Sequence, residues 1–99
     1  MNLVITHDPS RHRFEAVVDG LAAFLEYRPV GPDELDFVST WVAPPLRKRG
    51  VGLLLVEHAL GYARERGYRV IPSCWFVRDV LDAAGEAANP RLPPTPSHD

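Results

Sequence analysis

Six residues, Arg47-Lys48-Arg49-Gly50-Val51-Gly52, place three cations and two glycines directly ahead of an apolar run with helical patterning. A helix N-terminus presents backbone N–H groups without intrahelical partners, and the aligned peptide dipoles add partial positive charge there. Gly50 and Gly52 carry no side chain to hold an anion off those groups, while Arg47, Lys48 and Arg49 surround them with full charge. Several successive N–H donors suit two linked phosphates better than one, so the stretch reads as a diphosphate cradle. Two other phosphate motifs are excluded by spacing. A P-loop needs Lys and Ser/Thr after its last glycine, where Leu53 and Leu54 stand; the dinucleotide fingerprint needs a third glycine and a later acid. The second reactive candidate is Cys74, placed where a strand gives way to a helix, so the helix dipole favours its thiolate. Its bland alternative is a small buried hydrophobe, as free cysteines often are. The bland alternative for the three cations is a solvated basic turn or a weak nucleic-acid contact.

The elements around these residues follow from pattern. "RFEAVVDGLAAFLEYR" reads as two strands about Asp19-Gly20, a pair that supplies the positive φ angles of a tight hairpin. Pro29, Gly31 and Pro32 stop the second strand, and "LDFVSTWV" is a third antiparallel strand rich in β-branched and aromatic residues. The period then changes to 3.6. From Val51 to Arg66, a wide apolar arc contains Val51, Leu53, Leu55, Val56, Ala59, Leu60, Tyr62 and Ala63, with Leu54 a misfit, His58 at the rim and Gly67 as terminator. "YRVIP" follows as a strand parallel to the third, because a helix separates the two. Ser73 caps a second helix that carries Phe76, Val77, Val80, Leu81 and Ala84 toward the core. The expectation is an α+β domain over residues 1–88, an antiparallel meander followed by β-α-β and a C-terminal helix. Residues 89–99, with four of the chain's ten prolines, read as a mobile tail.

Composition narrows the function. Ninety-nine residues with one core make one small domain, and a net charge of −2 confines any attraction for phosphate to a local patch. A single cysteine excludes a disulfide framework and a Cys-rich zinc site, and the four histidines show no ligand spacing, so no metal is expected. The absence of a signal-like start or a bilayer-length apolar run predicts a cytoplasmic protein without membrane contact. Trp75 and Phe76 read as core or pocket wall. His58 reads as a solvated rim residue, and Tyr62 and Tyr68 are phenolic candidates of which Tyr62 falls in the buried arc.

Arg-x-x-Gly-x-Gly between a strand and an amphipathic helix resembles the acyl-coenzyme-A loop of the GNAT N-acetyltransferases. From Leu35 to Leu81 the order of loop, helix, strand and cysteine is similar to the small single-domain members. The resemblance implies acetyl-coenzyme A as cofactor, its diphosphate on Arg47, Lys48, Arg49, Gly50, Val51 and Gly52, and its pantetheine arm along Thr40 to Val42. Trp41 and Val42 would then supply N–H groups to the thioester carbonyl, and Cys74 matches the family's cysteine as nucleophile or acid. The relatives' His-Thr-Glu-Val-Pro-like run reads Ser39-Thr40-Trp41-Val42-Ala43 here, so no histidine stands at that position. Larger members insert helices between their first strands, whereas this chain has only Asp19-Gly20, which implies an open acceptor side. The expected reaction is acetyl transfer to an amine of a protein, peptide or polyamine, by a monomer or homodimer. Its alternatives are a non-catalytic acyl-coenzyme-A sensor or interaction module and, last, a nucleic-acid binder.

Overall fold

In the computed structural model, residues 3–84 are described, so the expected tail at 89–99 lies outside the described residues. Five strands form one sheet in sequence order: β1 (Leu3–Asp8), β2 (Arg13–Val18), β3 (Leu21–Val30), β4 (Glu34–Val42) and β5 (Arg69–Ile71). The first four pair antiparallel and β5 runs parallel to β4. Helix α1 (Val51–Arg66) joins β4 to β5, and α2 (Trp75–Ala84) follows β5. This is the expected α+β architecture with one added strand. β1 escaped the sequence pattern because it is an outer strand whose apolar residues do not sort cleanly between faces: Val4 is exposed while Leu3 and Ile5 are half-buried. Its β-branched run Val4-Ile5-Thr6 before Pro9 was the available signal.

The hairpin forms at Asp19-Gly20, with φ of 52° and 77°, the paired positive values of a type I′ turn. Phe14, Ala16 and Val18 of β2 and Ala23, Leu25 and Tyr27 of β3 alternate onto the buried face and meet α1 there. The expected stop at Pro29 gives way to a strand that continues to Val30, with Pro29 opposite Leu35; the turn itself is Gly31 to Asp33. Between β3 and β4 the register shifts at Glu26/Tyr27: Glu26 faces Ser39 and Tyr27 faces Phe37, leaving Val38 as the extra residue of a bulge.

Helix α1 has the expected limits, and Gly67 closes it by donating its N–H to the Ala63 and Arg64 carbonyls. Its buried side is narrower than the sequence arc, because the sheet covers only part of the helix. Leu53 is 43 % exposed, Leu54 is exposed beside it, and Tyr62 is only partly buried. In α2, Val77 and Leu81 are buried, with Phe76 and Val80 packed at their edge; the side chain of Ala84, also expected at the core, lies outside the described residues. The carbonyl that receives the first α2 bond, from Arg78 N–H, is that of Cys74, one residue beyond the expected cap Ser73.

The opposite face of the sheet carries charge. The Arg13 guanidinium lies 4.2 Å from the Phe24 ring centroid and bonds Glu26 at 2.9 Å and Glu15 at 3.2 Å, while Ser39 Oγ donates to Glu26. Under the C-terminal half of α1, His7 stacks on Phe14 at 4.3 Å and shares a 2.6 Å hydrogen bond with the Tyr27 hydroxyl. Burial, then the nearby Arg66 charge, lowers the His7 pKa, and burial raises that of Tyr27. A histidine whose folded pKa is depressed binds protons more readily when unfolded. Its contribution is therefore complete above the unfolded value of about 6.5 and is lost as pH falls through and below it. Thermal unfolding followed between pH 7.5 and 5 is expected to show a falling midpoint, with a shallower fall in His7→Gln; equal slopes would contradict this assignment.

Candidate functional site

The sheet opens where β4 and β5 part. β5 pairs only with Glu34 to Asp36 of β4, and the next main-chain bond between the two sides is Cys74 N–H to the Phe37 carbonyl, 2.9 Å. Beyond it, the β4 edge from Thr40 to Val42 borders a pocket of about 500 Å³ lined by β4, the loop before α1 and the first turns of both helices. Ala43 N–H points to β3, bonding the Ala22 carbonyl, so by strand alternation the main-chain groups of Val42 and Thr40 point the other way, into the opening. Arg47 Nε–H donates to the Val42 carbonyl at 2.9 Å, which supports that direction.

The two loop glycines are required for different reasons. Gly50 precedes α1 at φ 77°, and a Cβ there would meet nothing within 4 Å, so only its left-handed conformation restricts it. Gly52 is limited by space. A Cβ on it would approach the Phe76 ring to 3.2 Å and a Val42 methyl to 3.4 Å. The first α1 bond runs from Leu54 N–H to the Gly50 carbonyl, so the N–H groups of Val51, Gly52 and Leu53 precede any intrahelical partner. With no acidic residue in its first turn, α1 presents these donors in a positive local field.

Of the residues expected to hold a cofactor, Trp41, Val42, Arg47, Gly50 and Gly52 line the pocket together. Val51 is fully buried in the core, leaving only its main chain for the site. Lys48 is exposed outside the lining, and Arg49 turns away to Asp19 at 3.2 Å. Cys74 is buried, 7 % exposed, and stands behind the wall: its thiol donates to Thr40 Oγ at 3.6 Å, and Thr40 lines the pocket. Thr40, expected beside the arm, and Trp75 and Phe76, expected as core or pocket wall, also line it, and Leu53, expected in the buried arc, joins them. Trp75, 70 % exposed at the start of α2, had a sequence signal in two adjacent aromatics at a helix start.

The fold and site define a mixed-sheet α+β class in which one strand edge splays from its parallel neighbour beside a glycine-bearing helix start. The model of the family described as GCN5-related N-acetyl-transferase matches residues 13–89, and the chain belongs to that family. It is also similar to a protein from Staphylococcus aureus, solved in solution by NMR and described as a candidate N-acetyltransferase of the GCN5-like type. The two share 27 % identity and a TM-score of 0.74, over 98 % of this chain and 94 % of that one. None of the curated proteins matches the chain.

Proposed function

We propose that this protein transfers an acetyl group from acetyl-coenzyme A to an amine of a protein, peptide or polyamine. The observation that carries the reading is the helix start itself. The N–H groups of Val51, Gly52 and Leu53, without a partner among the described residues, meet Arg47 at the mouth of an otherwise largely apolar pocket. That combination suits a diphosphate attached to a long, weakly polar arm. The main-chain groups of Thr40 and Val42 that face the opening would hold the amides of that arm. Of the two N–H groups expected at the thioester carbonyl, that of Trp41 turns to β3 by the same alternation, so the Val42 N–H, or that of Thr40, would polarise it and stabilise the oxyanion formed on attack.

The acceptor amine must lose a proton to water before attack, since an alkylamine with a pKa of about 10.4 is almost wholly protonated at neutral pH, and its nitrogen gives up a second proton to water as the amide forms. Its lone pair forms the C–N bond, the C–S bond breaks, and the departing thiolate takes up a proton. Cys74 is the donor nearest the wall, delivering through the Thr40 hydroxyl. Short turns, Pro9 to His12 and Asp19-Gly20, join the first three strands, and this supports an open acceptor side fitted to extended amines. A cytoplasmic location and a monomer or homodimer accord with this reading; among the described residues no helix is long and apolar enough to cross a membrane.

Release of free coenzyme A thiol, followed with a lysine peptide and with a polyamine, tests the proposal. Cys74→Ala is expected to lower kcat by about a hundredfold with little change in coenzyme affinity; a wild-type rate in that variant would remove Cys74 from the reaction. A second reading, a coenzyme-binding module without transfer, is favoured by one feature: among the described residues, Arg47 is the only ionisable side chain in the pocket lining. Coenzyme binding without thiol release for any amine would select it. Salt-sensitive DNA or RNA binding that coenzyme A fails to displace would instead select the nucleic-acid reading.

A further inference from the structure

The loop cations divide between two directions. Arg47 bonds the Val42 carbonyl and lines the pocket, whereas the Arg49 guanidinium meets Asp19 Oδ2 at 3.2 Å, outside the lining. Asp19 belongs to the β2–β3 turn, 30 residues away in sequence, and supplies from outside the carboxylate that the first turn of α1 lacks. We infer that Asp19 is a resident counter-anion of the cofactor loop, holding Arg49 off the pocket until the diphosphate of an incoming coenzyme takes its place. This inference rests on the coenzyme reading above.

The exchange needs only one side chain to move. Asp19 is fixed by a turn whose flanking residues, Val18 and Leu21, face each other in the sheet. The Arg49 main chain is tied by its N–H to the carbonyl of Leu46, a fully buried residue. The pair itself is weak. Its side chains are 41 % and 62 % exposed, so water and salt screen it. A diphosphate carries more charge than one carboxylate and also has the α1 N–H groups to bind. Asp19 therefore raises the coenzyme's dissociation constant in two ways, by occupying Arg49 and by placing a negative charge close to an anion site.

Calorimetric titration with coenzyme A at low salt tests the exchange. Asp19→Asn removes the charge with a residue that tolerates positive φ, and Asp19→Gly repeats the change with another such residue. Both variants are expected to bind coenzyme A about two- to fivefold more tightly than wild type, with the gain shrinking as salt is added. In an Arg49→Ala background only the smaller part of the gain, from removing the negative charge itself, should remain. Unchanged or weaker binding in both Asp19 variants, or a gain of the same size without Arg49, would overturn this inference while leaving the coenzyme reading intact. A wild-type chain that binds no coenzyme A would overturn both.

Discussion

Gly52→Leu is expected to abolish coenzyme A binding, with affinity falling at least about a hundredfold, equivalent to about 2.7 kcal/mol, in calorimetric titration. Gly52 is a meeting point: a Cβ would already stand 3.2 Å from the Phe76 ring and 3.4 Å from a Val42 methyl. Both of those residues line the pocket, so a longer side chain must either fill the opening or push its walls apart. Either outcome removes the cradle. Overpacking of this kind costs about 1–3 kcal/mol of stability, so a lower melting point should accompany the loss. Gly50→Ala separates space from conformation, because a Cβ at Gly50 meets nothing and the cost there is left-handed backbone strain. Binding retained by Gly52→Leu in a folded protein would show that the ligand lies elsewhere.

Phe37→Ala is expected to cost about 3–5 kcal/mol, read as a lowered urea midpoint. The ring is fully buried on β4, opposite Tyr27 across the bulge, and Leu35 and Val70 pack beside it in the same core. A small domain holds roughly 5–15 kcal/mol in total, so this one truncation removes a large share of it. The consequence reaches the site, because the Phe37 carbonyl accepts the Cys74 N–H that closes the apex of the β4–β5 wedge. A loss below about 1 kcal/mol would contradict the placement of the core.

What the sequence made legible were features with a local physical cause. Asp19-Gly20 announces its turn because few residues accept positive φ, and α1 announces its limits through a change of hydrophobic period and a terminal glycine. The parallel pairing of β5 follows from the helix that must precede it. The loop before α1 stood out as a candidate cradle for the same reason, since its glycines and cations are contiguous. Features decided by distant partners were not. Val51 sits inside the loop motif yet its side chain belongs to the core, because α1 turns that face toward the sheet. Arg49 belongs to the same run, but a carboxylate from the β2–β3 turn draws it away. Pro29 signals an end that pairing with Leu35 overrides, and Leu53 leaves the helix arc for the wall of the pocket because the sheet covers only part of α1. The relation of Cys74 to that wall depends on a contact between residues 34 apart in sequence, and no spacing rule foretells it.

Amide chemical shifts recorded during a coenzyme A titration test the central claim most directly. If partnerless N–H groups at the start of α1 hold the diphosphate, the largest changes fall on Gly50, Val51, Gly52 and Leu53, with a second set along Thr40 to Val42. Saturating coenzyme that leaves these amides unmoved, or moves instead those of the charged outer sheet face around Arg13 and Glu26, would contradict it.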